Sequence, residues 1–377
     1  PGDRCPVYPM LRILHIAPFN TAGVPMAFVK AERSLGFESR LVTFARNEFG
    51  FEEDWCLDLP FMDGRFFRPL RNRLSAAGKR AAEKPGELHR DGVPLVWKPS
   101  GTVEATLTGW REKIWEGRVR KFMKQVDFFS FDVYQFDGGL DFSRHALYAR
   151  ALHEKGKKVV CCYLGSDLRS RGVIREIDAL SDYNFTVEYD HLALHPDIHY
   201  LFFPFEPERF KPRFTDNERL RIFHSATNRR YKGTDHIIDI CRSLERDFGV
   251  EFIYMENIPH AELLQEKQRC DIMIDQITNL GGVGYGVSSL EALSMGLAVC
   301  TRLTPGYETF IPDHPFVGVT PDSLYDELAG LITDGDRRRK HRTAGRVWVE
   351  KYHDAKNVVN GMHDMYRKRG WFTELYV

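Results

Sequence analysis

Short apolar runs alternate with segments whose apolar residues recur at helical spacing, and the chain does this twice over, which leaves few folds open to it. The first series opens with an apolar run from Leu11 to Ala17 that stops at Pro18. Asn20-Thr21-Ala22-Gly23 intervenes, a helical pattern runs from Val24 to Leu35, and Glu38 to Phe44 reads as the next strand. A strand–helix–strand unit of this length implies parallel pairing, because an antiparallel partner needs only a tight turn. After a break the series resumes with a helix from about Val103 to Val126, a strand at Phe129 to Phe136, a helix from Ser143 to Glu154 and a strand at Lys158 to Tyr163. The second series begins with a strand at Arg219 to His224, a loop from Ser225 to Gly233 and a helix from Thr234 to Arg246. It continues through strand Glu251 to Met255, helix His260 to Arg269, strand Asp271 to Ile274, helix Ser288 to Met295 and strand Ala298 to Thr301, with closing helices from Pro321 onward. Two complete series predict two doubly wound α/β domains joined near Pro204 to Pro212.

The length of 377 residues agrees, since it exceeds what one hydrophobic core organises. Lys plus Arg and Asp plus Glu are equal at 53 each, so no global field favours nucleic acid or an anionic membrane, and any basic surface must be local. One local candidate is the insertion from about 66 to 99, where Arg68, Arg71, Arg73, Lys79 and Arg80 are interleaved with Phe, Leu and Ala. It reads as a solvated insertion or as a peripheral contact with a membrane surface. The seven cysteines form no CxxC pair, and most lie in apolar runs, where buried thiols are expected. No run approaches the 18 to 20 apolar residues of a membrane span, and Pro1-Gly2-Asp3-Arg4 does not open a signal peptide, so a cytoplasmic location is expected.

The most informative stretch is Gly284-Tyr285-Gly286-Val287-Ser288-Ser289-Leu290-Glu291. Glycines before a helix let a ligand approach the backbone, and first-turn amides receive phosphate. Glu291 lies one turn into the helix on the face of Ser288, where a carboxylate can accept from two ribose hydroxyls. The bland alternative, a glycine turn before a helix with a solvated Glu, fits the local pattern equally.

A second loop, Asn228-Arg229-Arg230-Tyr231-Lys232-Gly233, follows a strand and enters a helix at the carboxyl end of a parallel sheet, where such folds bind ligands. Its cations suit a diphosphate that gains charge as a sugar departs. An exposed basic loop is the equally ready alternative.

Together these segments resemble the donor site of retaining GT-B glycosyltransferases, glycosyltransferase family four in particular. The family form is Glu-Gly-Phe-Gly, then Glu-Ala and a Gly-Xaa-Pro-Val ending. This chain matches at Gly284, Tyr285, Gly286, Glu291, Ala292, Gly296 and Val299. Ala298 replaces the usual Pro, and Val283 stands where the family has its first Glu. Asp275 and Gln276, at the end of the preceding strand, offer polar groups in place of that carboxylate. Lys232 maps onto the family's Lys-Gly, while both Arg229 and Arg230 are available for its Arg, of which Arg229 is preferred. Pro204-Phe205-Glu206-Pro207-Glu208-Arg209-Phe210-Lys211-Pro212 resembles the family's interdomain linker.

The resemblance implies a GT-B fold, with an acceptor domain over 1–203, a nucleotide-sugar domain over 204–355 and a last segment, 356–377, whose helix crosses back to the first domain. It implies a hexosyl-type retaining transferase. Asn228, Arg229, Lys232, Gly23 and the stretch Gly284, Tyr285, Gly286, Val287, Ser288 and Glu291 would hold the donor. Arg229, Lys232 and Asp137 would act in transfer, with Asp137 nearest the position of a sugar-contacting His. Asp167 and Arg169 are candidates for a sugar or lipid-linked acceptor. For Gly23 an ordinary βα turn, and for the N-terminal acids a helix cap or surface ion pair, are the competing readings. No metal-spaced cluster, Walker loop, nucleophile elbow or DxD is present, so a metal cofactor is not expected. A sugar-nucleotide epimerase or hydrolase, or a non-catalytic nucleotide- or glycan-binding protein, would share the donor site.

Overall fold

A computed structural model describes residues 11–62, 94–99 and 101–372. Most of the expected basic insertion, with Arg71, Arg73, Lys79 and Arg80, lies outside the described residues. Strands β1 (Arg12–Ala17), β2 (Glu38–Thr43), β3 (Trp55–Cys56), β4 (Val133–Asp137), β5 (Lys158–Tyr163), β6 (Tyr183–Thr186) and β7 (His199–Tyr200) form one sheet in the order β3-β2-β1-β4-β5-β6-β7. Strands β8 (Arg221–Ala226), β9 (Glu251–Glu256), β10 (Ile272–Ile274), β11 (Ala298–Thr301) and β12 (Val317–Gly318) form a second, ordered β12-β11-β10-β8-β9. The pairing is parallel in both, for example Ile13 with Ser39 and with Val133, and Ile272 with Ile222 and with Ala298. Such strands are covered on both faces, which is why β4 and β11 are buried at every position. The strand order reverses between β1 and β4 and between β8 and β10, and crevices open at those points.

Two element starts lie four residues later than the sequence pattern places them. The strand expected from Phe129 begins at Val133, because Asp127 takes a left-handed turn (φ 47°) and Phe128–Ser130 forms a 3-10 turn. The helix expected from Ser143 begins at Leu147. The buried Asp141 carboxylate accepts from the amides of Ser143 (2.6 Å), Tyr148 (3.0 Å) and Ala149 (2.9 Å), and the chain wraps it before turning helical.

One apolar core runs through both sheets, from Ile13, Phe28 and Phe185 to Tyr285, Trp348 and Met362. The helix Ala355–Lys368 contributes to it by lying against the helix Val24–Ser34, and Tyr183 donates to the carbonyl of Met365 (2.9 Å). This junction buries charge. Glu32 lies 2.9 Å from His15 Nε2, 2.6 Å from Ser39 Oγ and 3.1 Å from His363 Nε2 on the C-terminal helix. His15 Nδ1 is 3.5 Å from Asp137. Burial disfavours both ions, yet the imidazoles outweigh it at Glu32, which falls to about 2. Glu32 and Asp137 outweigh it at His15, which rises to about 10.

The signs define a window. The Glu32 contribution is present above its ordinary 4.5 and is lost as pH falls toward 2; the His15 contribution is present below its ordinary 6.5 and is lost as pH rises toward 10. Glu32→Gln should therefore destabilise most between those ordinary values, by roughly 3–5 kcal/mol because a buried imidazolium loses its partner. Urea unfolding of wild type and variant across pH measures this, and a pH-independent difference would contradict the network.

Candidate functional site

The carboxyl ends of the two sheets bring their loops together. In the second domain the chain leaves β8 through a helical turn, Arg229–Lys232, and Asn228 caps it by accepting from the Tyr231 amide at 3.2 Å. Lys232 reaches back to the end of β10, where its amine bonds Asp275 and lies 3.4 Å from Gln276 Oε1. The other oxygen of Asp275 accepts from Ser289 at 2.6 Å. Burial opposes the Asp275 carboxylate, but Lys232 and Ser289 hold it below its ordinary range. Arg229 faces elsewhere: its guanidinium bonds Asp235, and also Tyr254 and Glu256 on β9, each at 3.1 Å. Its positive end is thereby occupied on the β9 side, away from the Lys232–Asp275 pair, while Arg230 is exposed.

The glycine stretch divides its labour. Gly284 adopts φ +88°, and a Cβ there would lie 2.2 Å from Tyr307, so only glycine passes. Tyr285 is a core residue rather than a wall of the site: it is stacked on Phe316 (4.8 Å) and Tyr307 (5.7 Å), with its hydroxyl 3.1 Å from His353. Val283 packs against the same core. Gly286 precedes the helix Val287–Ser294 as its cap. Glu291 on that helix is buried, with Oε2 accepting from Lys267 at 2.5 Å and Oε1 2.6 Å from His260 Nε2. Lys267 is fully buried and also donates to Ser288 Oγ at 2.9 Å. Burial opposes the Glu291 carboxylate, and Lys267 and His260 reverse that, lowering it.

Glu291 forms part of the wall of a cavity of about 300 Å³. Its lining joins Val287, His260 and Glu291 to Asn20, Gly23 and Phe51 of the first domain. The Phe51 ring sits 4.7 Å from that of His260, and Gly23 (φ +77°) leaves room for Phe51.

The other first-domain candidates sit on separate loops. Asp137, at the end of β4, is buried beside His15 and accepts from Gln135 at 2.9 Å. Asp167 accepts from the amides of Leu164 (2.8 Å), Gly165 (2.9 Å) and Leu168 (2.7 Å), which is a structural turn. Arg169 reaches the opposite domain, its guanidinium 3.4 Å from where a Cβ on Gly282 would stand. Asp190 (2.6 Å) and Glu188 (2.5 Å) grip it. Burial pushes Glu188 up to about 7 despite Arg169, and the Arg169 guanidinium is raised.

No protein-family model matches this sequence, and no curated protein matches it closely enough to be counted. Solved structures do match along nearly the whole chain. Anabaena Alr3699/HepE, crystallised with UDP, is 10% identical with a TM-score of 0.55, over 95% of this chain and 100% of its own. A UDP-N-acetylglucosamine 2-epimerase is 12% identical with a TM-score of 0.55, over 97% and 98%. An α-glucosyltransferase, crystallised with UDP and DNA, is 11% identical with a TM-score of 0.54, over 94% and 99%. This chain has the GT-B fold.

Within that GT-B frame the structure gathers Gly23, Val287 and Glu291 on one cavity and places Lys232 with Asp275 at the β8–β10 switch point. Arg229, Tyr285 and Asn228 are engaged in other contacts. Lys267, His260, Phe51, Glu188 and Asp190 were missed, because none stands in a spaced motif. Lys267 in particular reads in sequence as an ordinary solvated helical lysine.

Lys267→Met should cost roughly 3–5 kcal/mol by leaving the Glu291 carboxylate buried without its cation. Adding Glu291→Gln should recover part of that loss. A double-mutant cycle by urea unfolding measures the coupling, and additive effects would show that the pair is not coupled.

Proposed function

We propose that the protein is a glycosyltransferase that moves a sugar from a nucleotide-diphosphate sugar to a glycan, lipid-linked or small-molecule acceptor, with retention and without a metal. The observation that carries this reading is Glu291: an ionised carboxylate at the wall of a cavity closed on its other side by the Gly23 loop of the facing domain. Two vicinal hydroxyls of a ribose fit such a group, since a carboxylate accepts from both while a neutral acid does not. The GT-B frame and the UDP bound in the HepE structure support a nucleotide donor.

In the proposed reaction the bond between the anomeric carbon and the diphosphate breaks with its electron pair, and negative charge grows on the leaving oxygen. Lys232 is the cation at the switch point, and the first-turn amides after Gly286 add dipole. Asp275 holds Lys232 in place, and Gln276 beside it is a polar candidate for the position where Val283 lacks a carboxylate. Arg229 would have to leave Asp235 and Glu256 to help. Retention follows from the resemblance of the glycine–glutamate stretch, not from these contacts.

A second reading, a sugar-nucleotide epimerase, is favoured by a specific feature: Glu188 and Asp190 converge on Arg169 at the domain interface, and a carboxyl near neutrality can move protons. It requires no acceptor.

Thermal shift against UDP-, GDP-, ADP- and CMP-sugars tests the donor site. Saturation at about 100 Kd should add ~2.7 kcal/mol with one nucleotide and raise the melting temperature by several degrees. Glu291→Ala should abolish that shift. No shift with any nucleotide would overturn the donor assignment, and donor isomerised without acceptor would move the reading to the epimerase.

A further inference from the structure

The helix Thr102–Gln125 buries one face, with Trp115, Val119 and Phe122 in the core and the Trp115 indole donating to Pro60 O at 2.8 Å. Its opposite face is also apolar. Val103, Leu107, Trp110 and Ile114 recur at three- and four-residue steps and so stack along one side, exposed by 60%, 50%, 54% and 38%. Phe61, 44% exposed, extends the patch with its ring 5.4 Å from that of Trp110. A single exposed leucine needs no explanation, but an aligned row with a tryptophan does.

The charges on the same helix are sorted. Lys113, Arg118, Arg120, Lys121 and Lys124 are exposed, whereas Glu104 and Glu112 are half-buried and Glu116 is paired with Arg120. Glu112 is turned inward, accepting from Ser143 Oγ at 2.9 Å and from the Arg144 amide at 2.8 Å. In a chain whose charges cancel overall, this face is locally cationic.

We infer that this face is a docking surface for an anionic lipid bilayer, on which the helix lies with Leu107, Trp110 and Ile114 in the headgroup boundary and its lysines on lipid phosphates. A row of apolar side chains bordered by cations is what such a surface recognises, and tryptophan favours the interface. A second copy fits less well, because it would bring a second set of the same exposed cations, Lys113, Arg118, Lys121 and Lys124, to the one interface. No helix among the described residues is long and apolar enough to cross a membrane, so the contact is peripheral. Glu112 ties the helix to the segment after β4 and so fixes which face it leaves outward. The inference does not depend on the donor reading.

Co-sedimentation of the full chain with phosphatidylglycerol-containing vesicles, and with phosphatidylcholine vesicles as control, tests it. The protein should bind the former, more weakly as salt rises. Leu107→Gln combined with Trp110→Ser should lower the apparent partition by about tenfold or more at any salt. Lys113→Glu, Lys121→Glu and Lys124→Glu together should lower it at low salt, and melting temperatures should stay close to wild type. Absence of wild-type binding, or binding unchanged in both variants, would overturn the proposal. So would a wild-type dimer that Leu107→Gln with Trp110→Ser makes monomeric, since the face would then be a self-interface.

Discussion

The cleft exists because the two sheets share one core, and the C-terminal helix closes that core from behind. Tyr189 of the first domain stacks on Tyr307 of the second at 4.6 Å and 11°, Tyr307 lies parallel to Tyr285, and Tyr285 to Phe316. Area burial alone would allow this junction to slide. The buried Glu32 removes that freedom, because moving the helix Ala355–Lys368 would strip His363 from a carboxylate that has no water to replace it. A polar cluster here costs stability relative to an apolar one of equal shape, and it defines one relative placement of the two elements.

The candidate site on the second domain is characterised by full mutual satisfaction. Both oxygens of Glu291 are occupied, by Lys267 and His260, and both oxygens of Asp275, by Lys232 and Ser289. Lys267 is fully buried against the carboxylate, with its amine bonded to Oε2 and to Ser288. His260 is only partly covered and lies against Phe51 of the other domain. Of the two partners, His260 is the one a ligand can replace: an incoming hydroxyl on Oε1 exchanges one hydrogen bond for another, while displacing Lys267 would strand a charge. Glu291 thus reports to the first domain through His260 and Phe51.

The regular part of this architecture was legible because parallel strands buried on both faces read as unbroken apolar runs, and the intervening helices as amphipathic ones. Thr234–Phe248, with Ile237, Cys241 and Leu244 inward, needed nothing else. Boundaries failed where a single buried group overrode periodicity, as Asp141 does in delaying the helix to Leu147. In the site, Gly284 and Glu291 were legible through local spacing on one loop and helix. Tyr285 carries the same motif yet faces the core, because the turn that Gly284 permits points the next side chain at Phe316 and His353. The partners of Glu291 were not legible. Lys267 and His260 lie 24 and 31 residues away in the chain, and only the packing of one helix on another brings them to the carboxylate.

The remaining asymmetry concerns charge across the cleft. On the second-domain side the Lys232 amine, 26% exposed at its side chain, is paired with one carboxylate, that of Asp275. On the first-domain side Arg169 is more enclosed and is gripped by two carboxylates, which leaves no positive charge to spare. Under the proposed donor reading, an anionic diphosphate would sit nearer Lys232 and the start of the helix Val287–Ser294 than Arg169. Opposite lies Glu188, whose carboxyl is pushed up to about 7 by burial, with Asp190 beside it adding to the rise. The fold alone would allow either orientation; on the donor reading these few side chains decide between them.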